Sequence, residues 1–334
     1  MTRDGIDLDA VLGARVALRH RIGERDGRPL FTDAVGTLSD GGGGTVVVET
    51  RKGAVRVPRE AVVAVRAVPP APPRRASWSA VTRLESLCAD AWPALVDRPL
   101  GAWRLRAAGG FTGRANSCLA VGDPGMPVAD ALAAVQEFAA AHEGVPPRVQ
   151  TPIDSPWSTA VQRAGWVLDG GHAAGAEVAV LVADLTLLTG ADGRVPVSLT
   201  DRASSTWWEF SEGGAPTRAQ QHVLDPGPDG PPTVFGLAGP EPLGAVRGAL
   251  VEDHLHLSRL STSPVARRTG VGTALTAAAA RWALARGAKW AVLQVALHNT
   301  AARRFYERLG CTEHHRYHYL TPAPAASPRP SPHA

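Results

Sequence analysis

The sequence predicts an α+β protein in which a small all-β domain precedes two halves of mixed strands and helices. Short β-rich runs separated by glycine and aspartate crowd the first 68 residues, whereas strand-like and helix-like segments alternate from residue 78 onward. Between these regions, residues 69–77 are rich in proline, which is typical of a stiff linker. A length of 334 residues also suits two or three domains better than one.

Residues 1–68 are predicted to form an SH3-like β-barrel. Short β-rich runs are recognisable there, and the glycine-rich segment 40–44 is predicted to be a hairpin tip. The stretch has no stripe of aromatic residues, so binding of peptides or nucleic acids has no specific support. We therefore expect a scaffold or interaction module that takes no part in catalysis.

Residues 78–190 are predicted to form the first mixed half. Helical periodicity covers residues 78–91 and 128–142, and a third helix is predicted over 156–164, where a glycine ends it. Strand-like segments lie between these helices, so the half alternates strands and helices.

Residues 191–320 are predicted to form the second mixed half. Residues 254–260 alternate polar and apolar side chains, as expected of a strand with one buried face. An alanine-rich helix is predicted over residues 273–286. The segment 266–274 that joins this strand to the helix contains two glycines.

The loop between this strand and helix is predicted to bind phosphate. A helix start presents unpaired N–H groups and the positive end of the helix dipole, and Gly270 and Gly272 let a bulky anion approach them. A Walker A loop would need a lysine after the second glycine, but Thr273 follows Gly272. A dinucleotide-binding fold would need an acidic residue on the next strand, 290–295, which has none. Neither nucleotide-binding motif is therefore matched.

What this stretch resembles is the signature of the GCN5-related N-acetyltransferases, Gln/Arg-x-x-Gly-x-Gly/Ala, which Arg267, Gly270 and Gly272 match. A second match follows in order, because residues 298–311 resemble the family's asparagine-capped helix with an aromatic pair and a terminal glycine. The resemblance implies that residues 191–320 are an acetyltransferase domain that uses acetyl-coenzyme A as cosubstrate and needs no metal.

The resemblance also implies which residues bind the cofactor. The main chain at the strand end would hold the pantetheine arm, and the loop and helix start would hold the pyrophosphate. Asn299 has two compatible roles, as N-cap of the last helix and as a contact to the cofactor. The implied cofactor-binding residues are Leu260, Thr262, Arg267, Arg268, Thr269, Gly270, Val271, Gly272, Thr273 and Asn299.

Two residues are candidates for proton transfer. Tyr306 matches the family's tyrosine, which protonates the coenzyme A thiolate, while Phe305 and Leu309 are predicted to mark the core face of that helix. His256 aligns with the position where some members place a glutamate base, and histidine is a competent base near neutral pH. A structural histidine, or a water relay to the preceding acidic residues, are the alternatives for His256.

The acceptor is expected to be a primary amine of a small molecule or a peptide. The substrate-binding candidates are Arg114, Asn116, Trp207 and Arg247. Alternatively, Arg114 and Asn116 belong to a structural hydrogen-bond cluster, and Trp207 to an ordinary aromatic core. A glutamate acceptor would need cations for its carboxylates, for which Arg114, Arg247 and Arg259 are the candidates.

The first half resembles a degenerate copy of the acetyltransferase domain. Residues 156–166 parallel the second signature, but residues 121–127 stand where the phosphate loop should be. Asp123 would repel a pyrophosphate, and two prolines remove N–H donors. An SH3-like domain before tandem halves resembles actinobacterial GCN5-related proteins labelled N-acetylglutamate synthase-like, which implies an amino-acid acceptor such as glutamate.

The composition limits the partners and the location. A formal net charge of +4 does not indicate a nucleic-acid or membrane surface. The three cysteines have no metal-ligand spacing and no apolar window is long enough for a membrane helix, so we expect a soluble cytoplasmic protein. The tail 321–334, rich in proline, serine and alanine, is expected to be disordered.

A second hypothesis comes from another functional class. The chain could be a non-catalytic regulator that binds acyl-coenzyme A and acts through the SH3-like module. An intact phosphate loop together with Tyr306 favours the enzyme.

Overall fold

A computed structural model describes residues 7–50, 52–68, 76–190 and 195–324. The chain divides into two compact units, residues 1–74 and 75–334. Most of the predicted linker, and the predicted tail beyond residue 324, lie outside the described residues.

The N-terminal unit is an antiparallel five-stranded sheet, which confirms the all-β prediction for residues 1–68. Alternate aliphatic side chains form its core, as Val16 and Leu18 do in the first strand. Gly43 and Gly44 form the turn between the second and third strands, so the hairpin tip is confirmed but is shorter than the predicted segment 40–44. Both have positive φ, which glycine adopts without strain. In the spatial order β4-β3-β2-β1-β5, the strands are β1 Arg15–Arg25, β2 Arg28–Gly42, β3 Thr45–Thr50, β4 Gly53–Pro58 and β5 Val62–Ala67.

The C-terminal unit is a mixed sheet flanked by helices, which confirms the α+β class. The three helices predicted for the first half are present, with ends shifted by one or two residues. Within the part of the chain that the structure describes, no helix is long and apolar enough to cross a membrane. The helices are α1 Trp78–Asp90, α2 Val128–Ala140, α3 Pro156–Arg163, α4 Ser205–Glu212, α5 Arg218–Leu224, α6 Val271–Leu284 and α7 Thr300–Arg308.

Twelve strands of the described residues join in this sheet. Its order is β12-β13-β14-β15-β16-β11-β17-β9-β8-β7-β6, and β10 pairs with β17. The strands are β6 Val96–Leu100, β7 Trp103–Ala107, β8 Cys118–Leu119, β9 Val149–Pro152, β10 Trp166–Leu168, β11 Glu177–Asp184, β12 Val197–Thr200, β13 Thr233–Ala238, β14 Gly244–Val251, β15 His254–Thr262, β16 Trp290–Ala296 and β17 Thr312–Pro322.

The two halves of this unit repeat one arrangement. In the first half, β6, β7 and β8 pair antiparallel and β8 pairs parallel with β9 after the crossover helix α2. In the second half, β13, β14 and β15 pair antiparallel and β15 pairs parallel with β16 after α6. The crossover helix precedes the parallel partner in both halves, as a parallel pair requires.

The halves are joined by an exchange of strands. Strand β11, which comes from the first half, lies between β16 and β17 of the second. Strand β17, which ends the second half, pairs with β9 and β10 of the first. Each half therefore completes the sheet of the other, and the predicted boundary near residue 190 divides the sequence but not the sheet.

The two faces of the sheet in the second half are covered by different helices. The alanine-rich α6 packs on one face, where Leu255, Leu257 and Leu293 belong to its buried cluster. Helices α1, α4 and α5 cover the opposite face. Because side chains alternate along a strand, His256 and Gln294 point to this opposite face.

The exchange predicts that a core substitution in β17 destabilises both halves. Leu320 is fully buried in the core of the first half although it lies at the end of the second half in sequence. Leu320→Ala should lower the free energy of unfolding by about 2–5 kcal/mol because it opens a cavity there. Hydrogen exchange should show loss of protection in β7 and β16 together. Leu187→Ala, at an exposed leucine, is the matched control; loss of protection in one half alone would contradict the coupling.

Candidate functional site

The parallel strands β15 and β16 separate partway along their length. They pair as far as Leu257 and Leu293 and no further. Beyond that point β15 carries a bulge, in which Arg259 and Leu260 lie opposite the single residue Val246 of β14, and Arg259 has a φ of 52°. A bulge bends its own strand. The carboxyl ends of the two strands therefore enclose a gap.

The edge of β15 that faces this gap has free main-chain groups. Ser263 donates its N–H to the carbonyl of Leu243, on the side of β14, at 2.9 Å. Successive amides along a strand point to opposite edges, so those of Thr262 and Leu260 point into the gap. An extended ligand with amide groups can pair with this edge as an added strand.

The loop before α6 holds a run of unpaired amides. The N–H groups of residues 268–273 donate to no described residue, and the first helical hydrogen bond runs from Ala274 to Gly270. Gly270 has a φ of 91°, and no atom lies within 4 Å of the position that a Cβ would occupy. Arg267 and Arg268 are exposed beside it. The loop thus presents open donors and positive charge to an anion.

Other residues of the predicted set give the loop its shape. Thr269 donates its hydroxyl to the carbonyl three residues earlier at 2.8 Å. Val271 is buried, Thr273 is half-buried, and Gly272 lies against the ring of Phe305, 3.4 Å from the place of a Cβ. The side chains therefore fix the loop while its main chain stays open.

Helix α7 packs against the start of α6 and carries two of the predicted residues. Asn299 is its N-cap and accepts a hydrogen bond from the amide of Ala302 at 3.1 Å, which confirms the capping role. Tyr306 is buried in the cluster that contains Leu257 and Val295, on the two strands where the gap opens. Phe305 and Leu309 pack half-buried against the same cluster, which confirms the predicted core side of the helix, and Tyr306 is more deeply buried than either.

The hydroxyl of Tyr306 has no hydrogen-bond partner among the described residues. Burial raises the pKa of this phenol, and the neighbouring Cys311 raises it further. Burial also raises the pKa of Cys311, to about 11. Both groups therefore keep their protons at neutral pH.

His256 is a buried histidine beside Gln294. Its side chain is 1% exposed, and neither ring nitrogen has a hydrogen bond of good geometry with a described residue, although the contact with Gln294 acts to raise its pKa. The Nε2 of Gln294, on the same face of the sheet, is also unpaired. Burial lowers the pKa of His256 well below its usual value, and Arg114 and Arg247 lower it further. His256 is therefore a neutral imidazole at physiological pH.

Three guanidinium groups surround the indole ring of Trp92 on this face. The Cζ atoms of Arg114, Arg247 and Arg259 lie 4.2, 5.2 and 5.7 Å from the ring centroid. Arg114 also donates to Oε1 of Gln294 at 2.6 Å, so a residue of the first half reaches a strand of the second. We call Trp92 with these three residues the arginine cluster.

The other predicted substrate residues have structural contacts. The amide of Asn116 accepts from two backbone N–H groups and donates to two carbonyls, all within residues 108–112. The indole of Trp207 donates to the carbonyl of Val246, opposite the bulge, at 3.1 Å. Arg247 is fully buried and donates to three backbone carbonyls. These side chains hold the walls of the site in place.

The open amides of residues 268–273 form what we call the cradle. The corresponding loop of the first half, residues 121–127, has no such run of open amides. The carboxylate of Asp123 accepts the amide of Gly125 at 2.8 Å, and Pro127 stands at the N-cap position of α2. A phosphate would meet a carboxylate and a missing donor at this point.

Sequence reasoning did not find Trp92, Gln294 or Glu212. Trp92 is the platform of the arginine cluster, and Glu212 is the carboxylate that pairs with Arg259 at 3.1 Å. No motif marks these residues, because each acts on a partner far away in sequence. For Gln294, the only indication of a role in the site was its position on the strand that follows the phosphate loop.

The burial of neutral His256 predicts a pH-dependent stability. Below about pH 6.5 the unfolded chain protonates this histidine, whereas the folded chain does so only at lower pH. The unfolded state then binds more protons, so stability falls as the pH drops through this window. His256→Gln should remove a slope of up to about 1.4 kcal/mol per pH unit between pH 5 and 6.5 in denaturant titrations. Parallel curves for wild type and variant would contradict this.

Comparisons with known proteins find relatives of both units. A family model described as "Probable histone acetyltransferase Rv0428c C-terminal" matches residues 78–320, and "Rv0428c N-terminal Sm-like domain" matches residues 10–66. The "Probable histone acetyltransferase Rv0428c" of Mycobacterium tuberculosis is 31% identical over 322 residues, which cover 92% of this chain and 95% of that protein. The "Uncharacterized N-acetyltransferase YobR" of Bacillus subtilis is 27% identical over 253 residues, 72% of this chain and 97% of that protein.

A solved structure shares the fold. A GCN5-related N-acetyltransferase from Kribbella flavida superimposes with a TM-score of 0.52 at 17% identity, over 73% of this chain and 96% of that one. The N-terminal match is to an Sm-like domain, so the SH3-like description stays a prediction. These matches show that the chain belongs to the family of Rv0428c and is a GCN5-related N-acetyltransferase.

Proposed function

We propose that the C-terminal unit transfers the acetyl group of acetyl-coenzyme A to a primary amine. The observation that carries this proposal is the gap between β15 and β16, which ends at the open amides of residues 268–273. The free phenol of Tyr306 belongs to the cluster that lines the strands where this gap begins.

The residues around the gap fit the donor. The open amides at residues 268–273 suit a pyrophosphate, with Arg267 and Arg268 adding charge. The free edge at Leu260 and Thr262 suits the amide groups of a pantetheine arm. The Nδ2 of Asn299 remains available for a contact, since only Oδ1 caps the helix.

Two side chains have roles in proton transfer. The reaction joins the amine nitrogen to the acetyl carbon and breaks the carbon–sulfur bond, so the nitrogen loses a proton and the sulfur gains one. Tyr306 holds its proton at neutral pH and would give it to the leaving sulfur. His256 is neutral and would accept the proton of the amine, directly or through one water.

The acceptor has two candidate classes. The mycobacterial relative is named a probable histone acetyltransferase, which points to an amine on a protein. The resemblance to proteins labelled N-acetylglutamate synthase-like points to an amino acid such as glutamate. Both acceptors are primary amines, so both are compatible with the chemistry above.

We also propose that residues 78–190 are a degenerate acetyltransferase-like half and residues 191–320 the active one. The repeated strand order supports their common architecture, and the contact of Asp123 with Gly125 supports the loss of the donor site in the first. In this division the N-terminal domain, residues 1–68, acts as an interaction module.

The cradle is tested by Gly270→Asp. An aspartate there would place a carboxylate beside the open amides and repel a pyrophosphate, so the Kd for coenzyme A should rise at least a hundredfold in calorimetry. Gly287→Asp is the matched control, since Gly287 has a φ of 85° and the same free space at the other end of α6. Equal affinity of the two variants would refute the cradle.

The proton donor is tested by Tyr306→Phe with release of free thiol from acetyl-coenzyme A as the measurement. The turnover number should fall about a hundredfold or more, because general acid catalysis commonly contributes that much. Coenzyme A affinity and melting temperature should stay near wild type, because the hydroxyl has no protein partner. An unchanged rate would remove the assignment. Binding of coenzyme A without turnover of any amine would favour the non-catalytic regulator.

A further inference from the structure

Resting on the proposed function, we propose that the amine acceptor carries a carboxylate, which Arg114 and Arg259 bind. Arg114 belongs to the first half of the unit and Arg259 to the second. In this proposal the first half, which has no donor site, completes the acceptor site of the second half.

Arg114 and Arg259 lie next to the first residues of the gap between β15 and β16. Gln294, which holds Arg114 at 2.6 Å, is the first residue of β16 after the last parallel pair with β15. Arg259 is part of the bulge that opens the gap. Both side chains stack on Trp92, on the face opposite α6, and Arg259 also lies 5.1 Å from the ring centroid of Phe111. The two guanidinium groups thus lie beside the point where β15 and β16 separate.

The charge of the arginine cluster is not balanced. Among the described residues, one carboxylate contacts it, that of Glu212, and this contact is to Arg259 at 3.1 Å. Asp225 pairs with Arg202 at 3.2 Å and acts on Arg247 through its charge. Arg114 contacts no carboxylate of a described residue, so its charge in this half-buried place has no partner of opposite sign. An anionic ligand would relieve its repulsion with Arg247 and Arg259.

The two arginines also have donors to spare. Arg114 uses only Nη1 for a hydrogen bond with a described residue. The Nε of Arg259 is buried and has no hydrogen-bond partner among the described residues. The same holds for the Nε2 of Gln294 nearby. Arg247 differs, because its three nitrogens are bonded to carbonyls and to Ser258. A buried donor without a partner is costly, so these groups suit an acceptor oxygen from a ligand.

A carboxylate is the fitting anion on grounds of geometry and charge. Guanidinium groups bind carboxylates through charge-assisted, often bidentate, hydrogen bonds. A lysine-rich peptide would bring further positive charge to a cluster that already carries an excess. An amino acid, or a compound with an amine and a carboxylate, matches the cluster, and a basic protein tail does not.

The test compares acceptors that differ only in the carboxylate. Thiol release would be measured with the full-length protein, acetyl-coenzyme A and sets of matched amines: amino acids including glutamate and leucine, their α-carboxamides, and the decarboxylated amines. A lysine-rich peptide with a blocked C-terminus completes the set. We expect at least a tenfold higher kcat/KM for the best amino acid than for its amide. Equal rates for acid and amide, or preference for the peptide, would overturn the inference and leave the proposed function standing.

Substitutions of the two arginines test whether they cause the preference for acids over amides. Arg114→Gln should raise the KM for the best acid at least tenfold, with the KM for its amide and for acetyl-coenzyme A changed less than twofold. Arg259→Lys keeps the charge beside Glu212 and should retain part of the preference. The exposed Arg98, changed to Gln, is the control. An equal loss for acid and amide in Arg114→Gln would show a merely structural role and overturn the inference.

A binding measurement separates the two proposals. Should no amine release thiol, the same acids and amides would be titrated calorimetrically into protein saturated with coenzyme A. Binding of acids but not amides would support the carboxylate site while the transferase proposal fails. Absence of any preference would overturn the carboxylate site itself.

Discussion

The parting of β15 from β16 after Leu257 is the constraint on which the candidate site depends. A continuous parallel pair would bury the main-chain groups of Leu260 and Thr262 in its own ladder and leave no room for a ligand. The bulge at Arg259 bends β15 away, and the indole of Trp207 satisfies the carbonyl of Val246 opposite it. The gap is therefore a built feature, held open by a strained residue and a buried tryptophan.

The exchange of β11 and β17 makes the two halves of the C-terminal unit depend on each other. Strand β11 pairs with β16, so without it β16 would be an unpaired edge of the second half's sheet. The first half also supplies α1 and the loop that carries Arg114, both on the face opposite α6. Neither contribution uses the loop at residues 121–127, where the carboxylate of Asp123 accepts the amide of Gly125.

Local features of this fold could be predicted from the sequence, whereas its long-range contacts could not. The strand, the loop at Gly270 and the N-cap at Asn299 follow from spacing within about ten residues, where helix capping and glycine conformations decide the structure. The strand exchange joins segments more than a hundred residues apart, and no periodicity specifies it. Residue type alone likewise did not reveal that Arg247 would be saturated by carbonyls while Arg259 kept a free donor.

Arg247 and Arg259 differ in their hydrogen bonds because Arg247 lies at the C-terminal ends of two helices. Arg247 donates to the carbonyl of Ala91, at the C-terminus of α1, and to those of Val223 and Leu224, at the C-terminus of α5. Helix C-termini carry partial negative charge and unpaired carbonyls, so two of them offset the cost of burying one guanidinium. That contact fixes the end of α1 and hence Trp92, the next residue but one after the helix. The structural arginine thus sets the platform on which Arg114 and Arg259 stack, and it leaves their charge for a ligand.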